Sequence, residues 1–191
     1  YFADELHIGH VTNGVHFPTW TTKNWQQFYV SKLGTNHLLD QANPEFWKQI
    51  YNVSDTSVWK QRTKAKKDFL AFLRIKIQKD LQSRQESPKL LHNTLEGLKQ
   101  NALYIGFARR FATYKRAHLL FTNIEKLARL VNDEEKPLRF VFAGKAHPND
   151  FPGQDLIKRV VEISKMKEFV GKVIFLENYD MAVARKLVSG V

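Results

Sequence analysis

The sequence predicts an α/β fold in which a parallel sheet with flanking helices follows a mainly helical segment. Three observations predict it. Short, nearly all-apolar runs at 102–107, 138–143 and 172–176 alternate with stretches of helical spacing. Such strands belong to a sheet covered on both faces, joined by right-handed crossovers. Ahead of them lies one long stretch, 55–83, with apolar residues at three- and four-residue steps. Finally, 43% hydrophobic, 13% aromatic and 26% charged residues over 191 positions describe a chain that buries a core.

Along the chain, residues 6–12 alternate loosely and predict a short strand, closed by a turn at Asn13-Gly14 and a boundary at Pro18 before Trp20. Short helices are expected from Trp25 to Ile50, one of them started by Asn43-Pro44, because proline suits a first helical turn. Asp55 is placed to cap the long helix, which runs to about Ser83 on Val58, Ala65, Phe69, Leu73, Ile77 and Leu81. Its other faces are dense in Lys, Arg and Gln, the pattern of a solvated face. Residues 85–100, with Ser87-Pro88, read as a linker or irregular joint. Helices are then expected at 114–131, 154–169 and 181–188, between and after the strands. This is half of a doubly wound domain, in which ligands bind beyond the carboxyl ends of the strands.

Charge and composition narrow the function. The formal charge is +11, from 30 Lys and Arg against 19 Asp and Glu, which favours anionic partners without choosing among them. There is no cysteine, hence no disulfide or thiolate metal site, and this suits a reducing cytoplasm. No apolar run approaches the roughly 18 residues of a membrane span. The start, Tyr1-Phe2-Ala3, has neither an initiator Met nor a secretory pattern, so both ends are expected to be cut from something longer. His7, His10 and His16 suggest metal only superficially, since His7 and His10 would point to opposite faces of a strand.

The strand-to-helix loops hold the candidate chemistry. The first, 109–116, carries Arg109, Arg110, Lys115 and Arg116 between a strand end and the first turn of the expected helix. Each cation at an exposed helix N-terminus costs about 0.3–1 kcal/mol unless an anion occupies the spot. The alternative is that these side chains point to solvent or pair with acids such as Glu177. The nine glycines never cluster into GxGxxG or a Walker loop, so side chains would hold the phosphate. The second loop brings Lys145 and His147, the latter readable as an ordinary satisfied loop histidine. The third, Glu177-Asn178-Tyr179-Asp180, offers polar groups and an aromatic, or simply a helix cap from Asp180 or Asn178.

Four of these motifs together resemble the α-glucan phosphorylases, and the microbial branch more than the animal one. Gly106-Phe107-Ala108-Arg109-Arg110-Phe111-Ala112-Thr113-Tyr114-Lys115-Arg116 resembles that family's phosphate-binding segment. Thr12-Asn13-Gly14-Val15, followed by Pro18 and Trp20, is similar to its sugar-site loop. Phe142-Ala143-Gly144-Lys145-Ala146 and residues 173–179 also fit, in the right order. The resemblance implies a two-lobed, GT-B-like glycosyltransferase with a Rossmann-like carboxyl-terminal lobe. Residues 1–100 would form an inter-lobe helical segment with the sugar loop, and 101–191 part of the Rossmann-like lobe. It further implies phosphorolysis of α-1,4-glucans by inorganic phosphate with pyridoxal 5′-phosphate, in a cytoplasmic homodimer that binds no nucleic acid or membrane.

The same resemblance assigns roles. Arg110 and Lys115 match ligands of the substrate phosphate, with Arg109 and Lys115 near the coenzyme phosphate. Asn13 matches a partner of the glucosyl unit, Tyr114 lines that pocket, and Trp20 and Tyr179 match aromatics around the coenzyme. The lysine that carries the coenzyme is expected beyond Val191, so the 191 residues alone should be inactive. Phe111-Ala112-Thr113 replaces a more polar stretch of animal members. Three other readings compete, one of them a stable structural remnant with no function apart from its parent. A nucleotide-sugar glycosyltransferase of the same architecture should show an acidic, nucleotide-contacting pair, which the sequence lacks. A basic nucleic-acid-binding module should bind strands with steep salt dependence.

Overall fold

The computed structural model describes residues 9–191, so most of the strand expected at 6–12, and His7 with it, lies outside the described residues; residues 9–12 have no regular structure. Two compact units divide the chain at Tyr51–Asn52.

The first unit is built from short helices, as its sequence predicts: α1 (Phe17–Trp20), α2 (Lys23–Leu33) and α3 (Pro44–Trp47), with 3-10 turns at Thr35–Leu38 and Lys48–Asn52. Local chemistry sets these limits. The Thr22 hydroxyl accepts from the Trp25 N–H at 3.4 Å to start α2, and Gly34, at φ 82°, ends it in a conformation open to glycine. The Asn43 side chain accepts from the Glu45 N–H at 3.0 Å and Pro44 supplies the first turn of α3. The core is aromatic, with Tyr29 against Phe17, Trp25 and Trp47 at ring separations of 5.9, 5.7 and 5.3 Å.

In the second unit, α4 (Asp55–Ser83) has the length its periodicity predicts. Ala65, Phe69, Leu73, Ile77 and Leu81 are buried, joined by Leu70, whereas Val58 is only half-buried. The N-cap is Ser54 rather than Asp55, which instead places its carboxylate in the first turn, against the positive end of the helix. The expected linker at 85–100 is a second correction: Pro88–Glu96 forms α5. The Ser87 hydroxyl accepts from the Leu90 N–H at 3.2 Å, so Ser-Pro here is a helix start.

Strands β1 (Leu103–Ala108), β2 (Leu138–Ala143) and β3 (Val173–Leu176) form one parallel sheet in the order β1-β2-β3. Ala108, Ala143 and Leu176 stand in register, so all three strands end at one edge. Helices α6 (Ile124–Val131), α7 (Phe151–Lys165) and α8 (Met181–Gly190) complete the unit. Alternate strand residues serve two cores. Tyr104, Val141, Ala143, Ile174 and Leu176 meet α4 and α8, while Phe140, Phe142 and Val173 meet α6 and α7. The doubly covered parallel sheet expected from the apolar runs is therefore observed.

The expected helix at 114–131 is the third correction. Residues Thr113–Lys115 and Ala117–Phe121 form 3-10 turns, and α-helix begins only at Ile124, capped by Asn123. Arg116, at φ 56°, occupies the left-handed region and interrupts the spiral.

Tyr104, 2% exposed, donates its hydroxyl to the Lys99 carbonyl at 3.1 Å, and burial pushes its pKa up to about 12 from 10.0. The neutral phenol is thus favoured in the folded state. Its contribution is intact below pH 10 and lost as pH rises from about 10 through about 12, where only the unfolded chain ionises freely. Alkaline unfolding followed by circular dichroism should begin in that window, and Tyr104→Phe should flatten the fall.

Candidate functional site at the carboxyl edge of the sheet

The loop after β1 is anchored by its apolar residues. Phe111 is fully buried, with its ring 5.4 Å from Phe107 and 5.9 Å from Phe175, and Ala112 is buried beside it. The Phe111 N–H donates to the Lys145 carbonyl at 3.0 Å, which ties this loop to the one after β2. Two glycines permit the approach. A Cβ on Gly144 would lie 2.0 Å from the Arg109 carbonyl oxygen, and one on Gly153 would lie 2.3 Å from that of Phe111. Gly144 also has φ 157°.

With Phe111 pointing inward, Arg109 and Arg110 are exposed, as are Tyr114 and Arg116, and Lys115 is half-buried. Lys115 Nζ sits 4.6 Å from the centre of the Tyr114 ring, a cation–π contact that fixes both groups. Among the described residues no ion pair engages Arg109, Arg110, Lys115 or Arg116. Glu177, the acid expected to compete for them, is bound 2.9 Å from Arg84 instead. The convergence of these cations with a helix N-terminus does not occur, because the loop ends in a short 3-10 turn. An anion at this edge would be held by side chains and by N–H groups of the loop.

In the second loop His147 Nδ1 accepts from the Asn149 N–H at 3.1 Å, the satisfied loop histidine of the plainer reading, and Lys145 is exposed. In the third, the Asp180 carboxylate accepts from the Val183 N–H at 2.8 Å and caps α8. Tyr179 is half-buried, packed on the core beneath α4 and α8, and Asn178 has φ 52°. Arg109, Arg110, Tyr114, Lys115 and Tyr179 are therefore all carried by loops leaving one sheet edge. Asn13 and Trp20 belong to the first unit: Asn13 is exposed in an irregular stretch, and Trp20 is half-buried at the end of α1. Among the described residues no group of three or more His, Cys, Asp or Glu is placed to hold a metal ion, and no helix is long and apolar enough to cross a membrane.

The sequence names Phe111 and Gly144 only as members of motifs and does not single out Gly153; that all three shape the loop is visible only in the fold. A glycine directly after a strand end was the available signal for Gly144.

No family model matches the chain. It is 39% identical to the maltodextrin phosphorylase of Thermococcus litoralis over 194 residues, covering 98% of this chain and 22% of that protein. It is 35% identical to the glycogen phosphorylase of Aquifex aeolicus, over 96% of this chain and 27% of the relative. For the glycogen phosphorylase of Mycobacterium bovis the identity is 34%, over 98% and 21%. The chain thus spans about a fifth to a quarter of the length of these relatives. Identity of this order is sustained from end to end, so over nearly its whole length the chain is similar to one stretch of glycogen and maltodextrin phosphorylases.

Proposed function

We propose that this chain contributes the phosphate grip of an α-glucan phosphorylase, which cleaves α-1,4-glucans with inorganic phosphate to release glucose 1-phosphate. The observation that carries the reading is the set of cations at 109–116, held at the carboxyl edge of a parallel sheet and without an acidic partner among the described residues. Similarity to phosphorylases over nearly the whole chain supports it. A nucleotide-sugar enzyme and a nucleic-acid module draw no comparable support.

The residues fit pyridoxal 5′-phosphate in donor chemistry: Arg109, Arg110 and Lys115, with no acidic partner among the described residues, for a phosphate, and a half-buried tyrosine ring beside the third strand end. In the proposed site Arg110 and Lys115 bind the substrate phosphate, and Arg109 with Lys115 faces the coenzyme phosphate. Asn13 hydrogen-bonds the glucosyl unit, Tyr114 lines its pocket, and Trp20 and Tyr179 flank the coenzyme. When bound, the coenzyme supplies a second phosphate able to exchange a proton with the first. Two phosphates brought together repel, and guanidinium and ammonium groups offset that repulsion most strongly where water is excluded. By fixing the substrate phosphate, Arg110 and Lys115 place its oxygens against the cationic character that develops on the glucosyl carbon. We further place this chain in a two-lobed GT-B-like polypeptide, a cytoplasmic homodimer.

The test is to express the complete polypeptide and measure glucose 1-phosphate release from glycogen and maltodextrin. Release should require both inorganic phosphate and pyridoxal phosphate. Absence of release, or release indifferent to phosphate, would refute the proposal.

A further inference from the structure

The Glu177–Asp180 loop is held by more than its own turn. Glu177 is the first residue beyond β3, and the end of α4 and its C-cap Arg84 grip it across more than ninety residues of sequence. Its backbone N–H donates to Asp80 Oδ2 at 3.4 Å, and its carboxylate takes Arg84 at 2.9 Å. Asp80 is only 7% exposed and is neutralised by Lys76, whose Nζ lies 2.5 and 2.6 Å from its two oxygens. Arg84 also stands 4.0 Å from Glu86, which binds Lys165 of α7 at 2.5 Å.

Stability alone does not account for this arrangement. A buried ion pair repays its desolvation poorly, and apolar residues of like size hold such a site as well or better. What an apolar residue cannot do is accept the Glu177 N–H. At the far end of the loop the Asp180 carboxylate is fixed to α8. Tyr179 therefore stands between two tethered points with little backbone freedom, the condition for presenting a ring to a ligand in one orientation.

We propose that Asp80 and Arg84 are positioning residues: through Glu177 they fix the loop that carries Tyr179 against the coenzyme. The proposal rests on the coenzyme-binding reading above. Residues that support a bound group from behind typically alter its affinity by about 10–100-fold.

The experiment uses the complete polypeptide stripped of coenzyme. Pyridoxal phosphate is titrated back by absorbance, and amide exchange is followed over residues 177–180. Arg84→Gln and Glu177→Gln remove charge from partly exposed groups and leave the core intact; Asp80→Asn is the third variant. Each is expected to raise the half-saturating coenzyme concentration about tenfold and to speed exchange in the loop, with the KM for phosphate unchanged. The Arg84→Gln/Glu177→Gln double variant should be no worse than either single one, because both break one pair. Val160→Ala, which loosens the opposite core, serves as the control for general destabilisation and should leave coenzyme binding alone. Wild-type coenzyme binding in the Arg84 and Glu177 variants, or additive losses in the double one, would overturn the positioning role while the functional reading stood. A wild-type polypeptide that takes up no coenzyme would overturn both.

Discussion

Replacing Arg110 with alanine in the complete polypeptide is expected to lower kcat/KM for phosphate by roughly a hundredfold or more while leaving the fold intact. The magnitude follows from what such a donor does. A hydrogen bond to a charged group is worth about 1.5–3 kcal/mol net, and removal of one donor aimed at developing negative charge costs about 10²–10³ in rate. The intact fold follows from placement, since Arg110 is exposed and its guanidinium has no partner among the described residues. Surface changes of this kind alter stability by about 0.5 kcal/mol or less. Arg110→Lys should recover only part of the loss, because an ammonium cannot present two parallel donors to a phosphate. Phosphate-dependence curves for both variants, beside thermal melts, check each half of this expectation.

The largest loss of stability is expected on the side of the sheet remote from that chemistry. Arg139, 2% exposed on the central strand β2, has no carboxylate partner among the described residues. Its Nε donates to the Gly97 carbonyl at 2.6 Å, and one terminal nitrogen donates to Val131 and Leu138 carbonyls at 3.2 and 2.7 Å. Gly97 and Val131 lie at the carboxyl ends of α5 and α6, where helix dipoles are negative, so the backbone supplies the counter-charge. Burial still pulls the Arg139 pKa down, the mark of a cation kept from water. Arg139→Met keeps the apolar stem and strips the donors from buried carbonyls. At about 1–3 kcal/mol for each orphaned group, the variant should lose at least about 3 kcal/mol. Denaturant unfolding measures this. A loss below about 1 kcal/mol would mean that water replaces the guanidinium without penalty.

Where the fold was legible, local pattern and tertiary need agreed. The strands were readable because residues such as Val141, Phe142 and Ile174 are apolar on both faces, which a doubly covered sheet demands. Helix α4 was readable because one stripe of its surface is buried along most of its length. Residues 114–131 misled because helical spacing continues through a point where Arg116 turns left-handed and Asn123 restarts the helix. Residues 85–100 mislead because Ser-Pro marks a break in many chains, although a hydroxyl before proline also starts helices.

The site divides the same way. Its cations could be found by position alone, at the ends of apolar runs. Their freedom from acids could not, since the Arg84–Glu177 pair joins residues more than ninety positions apart and leaves no local trace. The same holds for the contact of Gly144 with the Arg109 carbonyl, which decides how closely two loops may approach.

The most direct measurement is a crystal structure of the complete polypeptide with pyridoxal phosphate and inorganic phosphate bound. The account predicts that Arg110 and Lys115 donate to oxygens of the inorganic phosphate, with Arg109 turned to the coenzyme phosphate. Both phosphates held by other residues, with Arg110 and Lys115 facing bulk water, would contradict it.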